Sequence, residues 1–184
     1  MKTYCSNQSQ HGRSHWLNKP MMSGQYHHGL IDSHSLTLRL QQHYADFKVI
    51  PTLVAYAKPF LDETLPLGIS QRKKALIREV QLMGNNQLVV FAHSVLPRQS
   101  LRGAWLGLSR LGNKPLGATL FANPQVKRAP LSYKKLSPHH ALYQHATKNL
   151  ADKPLCLWAR RSVFSLNCAS IMVTEVFLPK LLAI

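Results

Sequence analysis

The chain has 184 residues, of which 23 are Lys or Arg and 7 are Asp or Glu, and its formal net charge is +16. No run of about 18 consecutive apolar residues occurs, so the sequence predicts no membrane-spanning helix. Residues 1–15 are polar and lack the apolar core of a signal peptide, so we expect a disordered tail and a cytoplasmic protein. The 3 cysteines lack CxxC spacing, which indicates reduced thiols, and residues 16–184 suit a single domain.

The large positive charge favours an anionic partner. Nucleic acid, anionic lipid and a small anionic substrate all meet this description, and net charge alone does not choose among them. Because acidic residues are so few, a carboxylate inside a predicted element needs a structural or chemical reason for its position.

The first predicted elements are a helix and a strand. Residues 32–35 (DSHS) supply helix N-cap side chains, and a buried face follows from apolar residues spaced four apart. These apolar residues are Leu36, Leu40 and Tyr44. Residues 47–53 predict a strand, which Pro51 places at a sheet edge. Residues 57–70 contain prolines and a glycine and predict a loop.

The middle of the chain predicts a β-hairpin followed by a helix. Residues 76–82 and 88–96 have strand patterns, and residues 84–86 (GNN) are typical of the turn between them. Residues 99–111 predict a helix that ends at Gly112. Three apolar residues share one face of this helix: Leu101, Trp105 and Leu108.

The C-terminal half predicts further strands. Residues 126–136 form a basic stretch with a strand pattern, and residues 139–154 predict a loop with some helix. Residues 161–166 and 171–178 predict two strands joined by a turn at residues 167–170. Short turns imply antiparallel pairing, and helices fall between groups of strands. The predicted fold class is therefore α+β, a single antiparallel sheet with helices packed on it.

Arg78 falls on the more apolar face of its predicted strand. Alternation places it with Leu76, Val80 and Leu82. An unpaired guanidinium in such surroundings is costly, so Arg78 must meet a carboxylate. That carboxylate belongs either to an internal acidic residue or to an anionic ligand held by a two-point contact.

Glu175 lies in the last predicted strand, which is apolar on both faces and therefore buried. Burial raises the pKa of a carboxylic acid because desolvation disfavours the anion. Glu175 is thus a candidate general acid or base near neutral pH. It equally fits an ion pair with a buried arginine, either Arg78 or Arg160, and the two hypotheses are compatible. Arg160 and Arg161 themselves are predicted to be solvated arginines at the end of a strand.

Motifs for metals, nucleotide cofactors and nucleic acids are missing from the sequence. The 10 histidines match no metal-ligand spacing, and no GxGxxG, P-loop or GxSxG motif occurs. We therefore predict no metal site and no cofactor. The basic residues are spread along the chain without a basic helix stripe, so nucleic acid is not expected as a partner.

Five blocks of sequence carry a familiar pattern. They are residues 32–40 (DSHSLTLRL), 77–80 (IREV), 111–117 (LGNKPLG), 157–162 (LWARRS) and 174–179 (TEVFLP). In their order and spacing they resemble the bacterial chorismate lyase family over nearly the whole chain. The resemblance implies a monomeric α+β protein with a deeply enclosed site. It also implies a cofactor-free enzyme that splits chorismate into 4-hydroxybenzoate and pyruvate, the first step of ubiquinone biosynthesis.

The resemblance implies roles for four residues at matching positions. Arg78 would bind the ring carboxylate of substrate and product, and the backbone N–H of Leu116 would donate to the same carboxylate. Glu175 would face the 4-hydroxyl at the far end of the ring, and Leu36 would line the pocket under a helical flap. Arg78 and Glu175 are thus the candidate catalytic residues. A pocket shaped for a planar benzoate also predicts that 4-hydroxybenzoate is retained and released slowly.

One position departs from the family pattern. Family members usually carry arginine where this chain has His93, so a role of that arginine in substrate access is not carried over. The residues before Trp16 and residues 139–154 also match the family poorly.

Other functions remain open at this point. The same fold serves as a small-molecule-binding domain in some transcription regulators, so a non-catalytic domain that binds a benzoate-like effector is the main alternative. Such domains are normally fused to a helix-turn-helix, for which the residues before Trp16 leave no room. A nucleic-acid-binding protein rests on net charge alone. If the chain is the enzyme, its charge further predicts a weak peripheral contact with anionic membrane lipid.

Overall fold

The computed structural model describes residues 15–112 and 114–181, without the side chains of Ser109 and Arg110. Residues 1–14 of the predicted disordered tail lie outside the described residues. The strands are β1 Lys48–Ala57, β2 Ala75–Gly84, β3 Gln87–Pro97, β4 Lys127–Arg128, β5 Ser132–Leu136, β6 Leu157–Leu166 and β7 Ala169–Phe177. The α-helices are α1 His27–Ile31, α2 Leu36–His43, α3 Leu61–Thr64, α4 Arg98–Leu101, α5 Leu116–Ala122 and α6 Ala141–Ala146, and 3-10 helices lie at Gly24–Tyr26 and Leu106–Arg110.

In the described part of the chain, the strands form one seven-stranded sheet in which all pairs are antiparallel. The spatial order is β1-β2-β3-β7-β6-β4, and β5 also pairs with β6. The predicted α+β class, a single antiparallel sheet with helices packed on it, is confirmed. Pairing of β3 with β7 places the C-terminal hairpin directly beside the middle hairpin. Residues distant in sequence, such as Arg78 and Glu175, therefore reach the same face of one sheet.

Two tight turns fix the register of the central hairpins. Asn85 and Asn86 join β2 to β3 with φ angles of 51° and 56°, and Asn167 and Cys168 join β6 to β7 with 47° and 62°. Asparagine tolerates this left-handed conformation better than most residues, and turns of this kind match the twist of paired strands. Both predicted hairpins are confirmed, with strands a few residues longer than expected.

Helices cover both faces of the sheet. On one face, α2 and α5 pack against apolar side chains of β2, β3, β6 and β7. On the opposite face, α6 packs against β3, β6 and β7. Each fully buried leucine in these layers contributes about 1.5–3 kcal/mol through removal from water. The core is thus built in two layers, one on each side of the sheet.

The helix predicted over residues 99–111 is wrong as a continuous element. The chain instead forms the short α4 and then the 3-10 helix Leu106–Arg110. Its three apolar residues are nevertheless buried as predicted: Leu101, Trp105 and Leu108. Gly103, a poor helix former, lies at the break. The Trp105 indole N–H donates to the Ala169 carbonyl at 3.0 Å, so a tertiary contact helps to hold this segment.

Other boundaries shift for identifiable reasons. The strand predicted over residues 47–53 continues to the end of β1, which is an edge strand with a register irregularity just after Pro51. The strand predicted over residues 126–136 is split into β4 and β5, and Pro130, which has no backbone N–H, lies in the gap. The loop predicted over residues 57–70 contains the short helix α3.

Candidate active site

A partly enclosed cavity lies between the sheet and the helices α2 and α5. Much of the wall is apolar, from residues that include Leu36, Val80, Leu82, Leu120 and Phe164. Its charged side chains are Arg78, Arg128, Arg160 and Glu175. Positive charge prevails among them, which favours an anionic ligand.

Arg78 enters the cavity from β2 and is 3% exposed. Its Nη2 donates to the carbonyl oxygens of Gly112 and Lys114, each at 3.0 Å. Its Nε is buried without a hydrogen-bond partner among the described residues, and none of their carboxylates forms an ion pair with it. Burial lowers the pKa of this guanidinium. Of the two alternatives that the sequence left open for Arg78, the internal salt bridge is therefore wrong within the described residues. The guanidinium is held instead by the backbone carbonyls of Gly112 and Lys114.

The segment that holds Arg78 also begins helix α5. Gly112 has a φ of +54°, a conformation that glycine adopts without strain. Pro115 is the N-cap residue and Leu116 the first helical residue, and Leu116 lines the cavity. Backbone N–H groups of a first helical turn have no acceptor within the helix. The structure thus brings Leu116 and Arg78 to one wall of the same cavity.

Glu175 lies on β7 and its side chain is 15% exposed. Its Oε2 accepts a hydrogen bond of 2.6 Å from Arg160 Nε, on the neighbouring strand β6. The predicted ion pair between Glu175 and a buried arginine is therefore confirmed, with Arg160 as the partner. Among the described residues, no hydrogen bond is made to Glu175 Oε1. The carboxylate is held in place through one oxygen.

Arg160 is 1% exposed, so the prediction of a solvated arginine at a strand end is wrong. Strand β6 begins at Leu157, four residues earlier than predicted, so Arg160 lies within the sheet. Its Nη1 donates to the carbonyls of Gly29 at 2.7 Å and Asp32 at 2.6 Å. These bonds and Glu175 compensate the buried charge.

Arg161 is also not a freely solvated residue. Alternation along β6 points it to the opposite face of the sheet, where its side chain is 11% exposed. Its Nη1 lies 3.4 Å from the Asp62 carboxylate, and its guanidinium lies 4.1 Å from the centre of the Trp16 ring. The side chains of Arg160 and Arg161 therefore lie on opposite faces of the sheet.

Helix α2, where the resemblance implies a helical flap, covers the cavity. The Ser35 side chain accepts a hydrogen bond of 3.3 Å from the Leu38 N–H, which confirms the predicted N-cap region. Leu36 is 2% exposed and lines the cavity from this helix. A Cβ atom added to Gly117 of α5 would lie 3.3 Å from both Ser35 Oγ and Thr37 Oγ1. Glycine at this position therefore lets α2 and α5 approach closely above the cavity.

Arg128 is a cavity residue that the sequence did not single out. It belongs to β4, which has only two residues and pairs with β6 at the edge of the sheet. Its guanidinium lies 5.3 Å from the ring centre of Phe121 and 5.2 Å from that of Phe164. In the sequence, Arg128 belongs to a basic stretch with a strand pattern, and nothing else marks it. A two-residue strand is too short to show which face of the sheet a side chain occupies.

A second buried polar cluster lies on the opposite face of the sheet. His93 Nδ1 is 3.0 Å from Glu79 Oε1, and His145 Nδ1 is 2.7 Å from the same oxygen. His93 Nε2 lies 3.2 Å from Glu63 Oε1, which is ion-pair distance although the angles fall short of a hydrogen bond. His93 is absent from the cavity wall. The departure from the family pattern at position 93 therefore lies on the other side of the sheet from Arg78 and Glu175.

The two glutamates keep His93 protonated. Burial alone would lower its pKa, but the hydrogen bond with Glu79 and the nearby carboxylates of Glu63 and Glu79 outweigh this and raise the pKa to about 9. Burial would likewise raise the pKa of Glu79, but His93 and His145 bring it below its usual value. Glu79 and His93 thus stabilise each other's ionised forms.

Within the two described ranges, no helix is both long enough and apolar enough to cross a membrane. In the same residues, no group of three or more His, Cys, Asp or Glu side chains is placed to hold a metal ion.

Sequence comparison identifies relatives over most of the chain. The model of a family described as chorismate lyase matches residues 12–183. A protein from Nitrosomonas eutropha called "Probable chorismate pyruvate-lyase" is 49% identical over 150 residues, which cover 82% of this chain and 84% of the relative. A protein of the same name from Methylobacillus flagellatus is 45% identical over 170 residues, which cover 92% and 96% of the two chains.

Structure comparison identifies a shared fold at low sequence identity. The effector domain of PhnF from Mycobacterium smegmatis superposes with a TM-score of 0.58 and 14% identity, covering 80% of this chain and 91% of that one. The ligand-binding domain of a putative GntR-family transcriptional regulator from Bordetella bronchiseptica gives 0.51 and 14%, covering 73% and 83%. At such identity the likeness concerns the fold alone, and function must be argued from the site.

Proposed function

Because the chain belongs to the chorismate lyase family, we propose that it is an enzyme that converts chorismate into 4-hydroxybenzoate and pyruvate. The observation that carries this proposal is the cavity, in which a buried Arg78 has no carboxylate partner among the described residues. Chorismate is a small dianion, and a cavity with prevailing positive charge attracts it.

Arg78 binds the ring carboxylate of chorismate and of 4-hydroxybenzoate. Its Nε is buried and has no hydrogen-bond partner in the described part of the chain, and its Nη2 is fixed by two carbonyl oxygens. The guanidinium is therefore already oriented, and a carboxylate gains a charge-assisted bond at little cost in side-chain entropy. The backbone N–H of Leu116, in the first turn of α5, is a further donor to the same carboxylate.

Glu175 faces the 4-hydroxyl at the other end of the ring. In the reaction, the C3–O bond to the enolpyruvyl group breaks and C4 loses a proton, whose electron pair completes the aromatic ring. The enolpyruvate that leaves takes up a proton and becomes pyruvate. Aromatisation drives the reaction, so the protein has to orient the substrate and assist proton movement. Arg160 holds the Glu175 carboxylate for this task at 2.6 Å.

The product stays bound under the flap. Leu36 lines the cavity from α2, and the close contact of α2 with Gly117 keeps the cavity covered. A benzoate ring held between such apolar walls leaves only when the flap moves, so release of 4-hydroxybenzoate is slow. Opening, rather than chemistry, then limits turnover.

Family membership also supports expectations about the oligomeric state, the cellular compartment and the pathway. We expect a monomer in the cytoplasm that supplies 4-hydroxybenzoate to ubiquinone biosynthesis. The net charge of +16 supports a weak contact with anionic membrane lipid. Co-sedimentation with anionic vesicles at low salt, absent with neutral vesicles, is the expected result, and absence of binding to both would exclude that contact.

The function is tested by mixing the purified protein with chorismate, without added metal or cofactor. Chromatography should show 4-hydroxybenzoate and pyruvate in equal amounts, and Arg78→Ala should abolish both. The folds of the regulator domains favour one other candidate, a non-catalytic domain for a benzoate-like effector. Binding of 4-hydroxybenzoate without turnover would support that candidate, and neither binding nor turnover would contradict both.

A further inference from the structure

Arg128 is a second cavity arginine to which the described residues offer no carboxylate partner. Its Nη1 donates to the Ser33 carbonyl, and its Nε is buried without a hydrogen-bond partner among those residues. Of the three arginines that line the cavity, Arg160 has Glu175 as an ion-pair partner, whereas Arg78 and Arg128 have none among the described residues. A partly buried guanidinium with an unused donor costs free energy unless a ligand meets it.

The surroundings of Arg128 favour an anion. The faces of Phe121 and Phe164 flank its guanidinium at 5.3 and 5.2 Å and displace water from it. Burial lowers the pKa of Arg128, and the charges of Glu175, Arg160 and Asp32 also act on it. Arg128 lines the same cavity as the Arg160–Glu175 ion pair. Exclusion of water strengthens any bond that the guanidinium makes to a carboxylate.

The positions of the two unpaired arginines match a substrate with two carboxylates. Arg78 reaches the cavity from β2, and Arg128 reaches it from β4, with β3, β7 and β6 between them. Chorismate carries one carboxylate on C1 of the ring and the other on the enolpyruvyl group at C3, next to the C4 hydroxyl. With the ring carboxylate on Arg78 and the hydroxyl at Glu175, the second carboxylate lies on the Glu175 side of the cavity, where Arg128 is found.

We propose that Arg128 binds the enolpyruvyl carboxylate of chorismate. This inference rests on the proposed lyase function and adds a residue that distinguishes substrate from product. When the C3–O bond breaks, negative charge develops on the departing enolpyruvate, and a guanidinium held at its carboxylate stabilises that charge. The second carboxylate then leaves with pyruvate. 4-Hydroxybenzoate keeps only the ring carboxylate, so it retains its contact with Arg78 and makes none with Arg128.

The experiment compares Arg128→Gln with Arg78→Gln, using kcat/KM for chorismate and Kd for 4-hydroxybenzoate from titration calorimetry. Loss of one partner of a buried charged pair predicts that Arg128→Gln lowers kcat/KM by about 30-fold or more. Its Kd for 4-hydroxybenzoate should stay within about threefold of the wild type, because the product does not use this residue. Arg78→Gln should impair both quantities, and Arg128→Lys should recover part of the lost kcat/KM.

Two results would overturn the inference. One is an unchanged kcat/KM in Arg128→Gln. The other is an equal loss of kcat/KM and product affinity, which would mean that Arg128 only supports the flap through Ser33. Retained binding of 4-hydroxybenzoate shows that the variant is folded.

If the wild type yields no products from chorismate, the lyase function itself fails. The ratio of the Kd values for chorismate and 4-hydroxybenzoate in wild type and Arg128→Gln then decides whether Arg128 recognises the second carboxylate.

Discussion

Arg160 and Glu175 lie opposite each other on β6 and β7 and form an ion pair of 2.6 Å at the wall of the cavity. Arg160 is almost fully buried and also donates to the backbone carbonyls of Gly29 and Asp32. It therefore links the sheet, the glutamate and the segment that leads into α2. The ion pair orients the candidate catalytic carboxylate and ties it to the flap region.

Replacing Arg160 by alanine should destabilise the protein by about 3–5 kcal/mol. The change removes the cation of a buried pair, leaves Glu175 without its partner and orphans two carbonyl oxygens. Urea unfolding followed by circular dichroism measures the loss. Arg72→Ala, at an exposed position, is the control and should change stability by less than about 0.5 kcal/mol. Equal effects of the two variants would show that the ion pair has no structural importance.

Replacing Glu175 by glutamine should lower kcat for chorismate by about 100-fold or more, the range expected for loss of a general acid or base. Glutamine has nearly the same shape, so binding of 4-hydroxybenzoate, measured by calorimetry, should fall much less. Near-wild-type turnover in this variant would exclude an essential proton-transfer role and leave Glu175 as a positioning residue. Because the variant also leaves Arg160 unpaired, its folding must be checked by thermal unfolding.

The central hairpins could be predicted because their information is local. The strands before and after Asn85 and Asn86 show apolar alternation, and the turn residues adopt positive φ angles that asparagine tolerates. Asn167 likewise adopts a positive φ angle in the turn between β6 and β7. The face that carries Arg78 could likewise be predicted, since alternation within one strand is sufficient.

The partners of the arginines could not be predicted, because they come from distant parts of the chain. Arg160 contacts the carbonyl of Gly29, 131 positions earlier, and Arg128 contacts that of Ser33, 95 positions earlier. Both contacts depend on how the segment before α2 packs over the cavity face of the sheet. No local pattern encodes that packing, so the sequence alone predicts a solvated Arg160 and gives no signal for Arg128 as a cavity residue.

Replacing Gly117 by alanine should speed the release of 4-hydroxybenzoate. The new methyl group would press on Ser35 and Thr37 at 3.3 Å and loosen the contact of α2 with α5. If overpacking costs the closed flap about 1 kcal/mol, the release rate rises roughly fivefold. Stopped-flow fluorescence of the prebound product measures this rate. Gly103→Ala, where the new Cβ meets no atom within 4 Å, is the matched control. An unchanged release rate in Gly117→Ala would mean that the flap contact does not retain the product.

The buried cluster around His93 predicts a loss of stability at alkaline pH. The folded protein raises the His93 pKa from 6.5 to about 9, because Glu63 and Glu79 favour the protonated ring. A raised pKa contributes stability that is complete below pH 6.5 and is lost as the pH rises through about 9. The expected loss is on the order of 3 kcal/mol, which urea unfolding between pH 6 and about pH 9.5 measures.

The variant His93→Arg provides the comparison for this pH dependence. Arginine stays charged over the whole range, so the stability of this variant should fall less between neutral and alkaline pH. His93→Gln, which does not titrate, should also lack the decline, although it starts less stable because Glu63 and Glu79 lose their cation. Parallel pH profiles of the wild type and both variants would show that deprotonation of His93 does not govern alkaline stability. A decline confined to the wild type would show that the histidine makes this chain sensitive to alkaline pH.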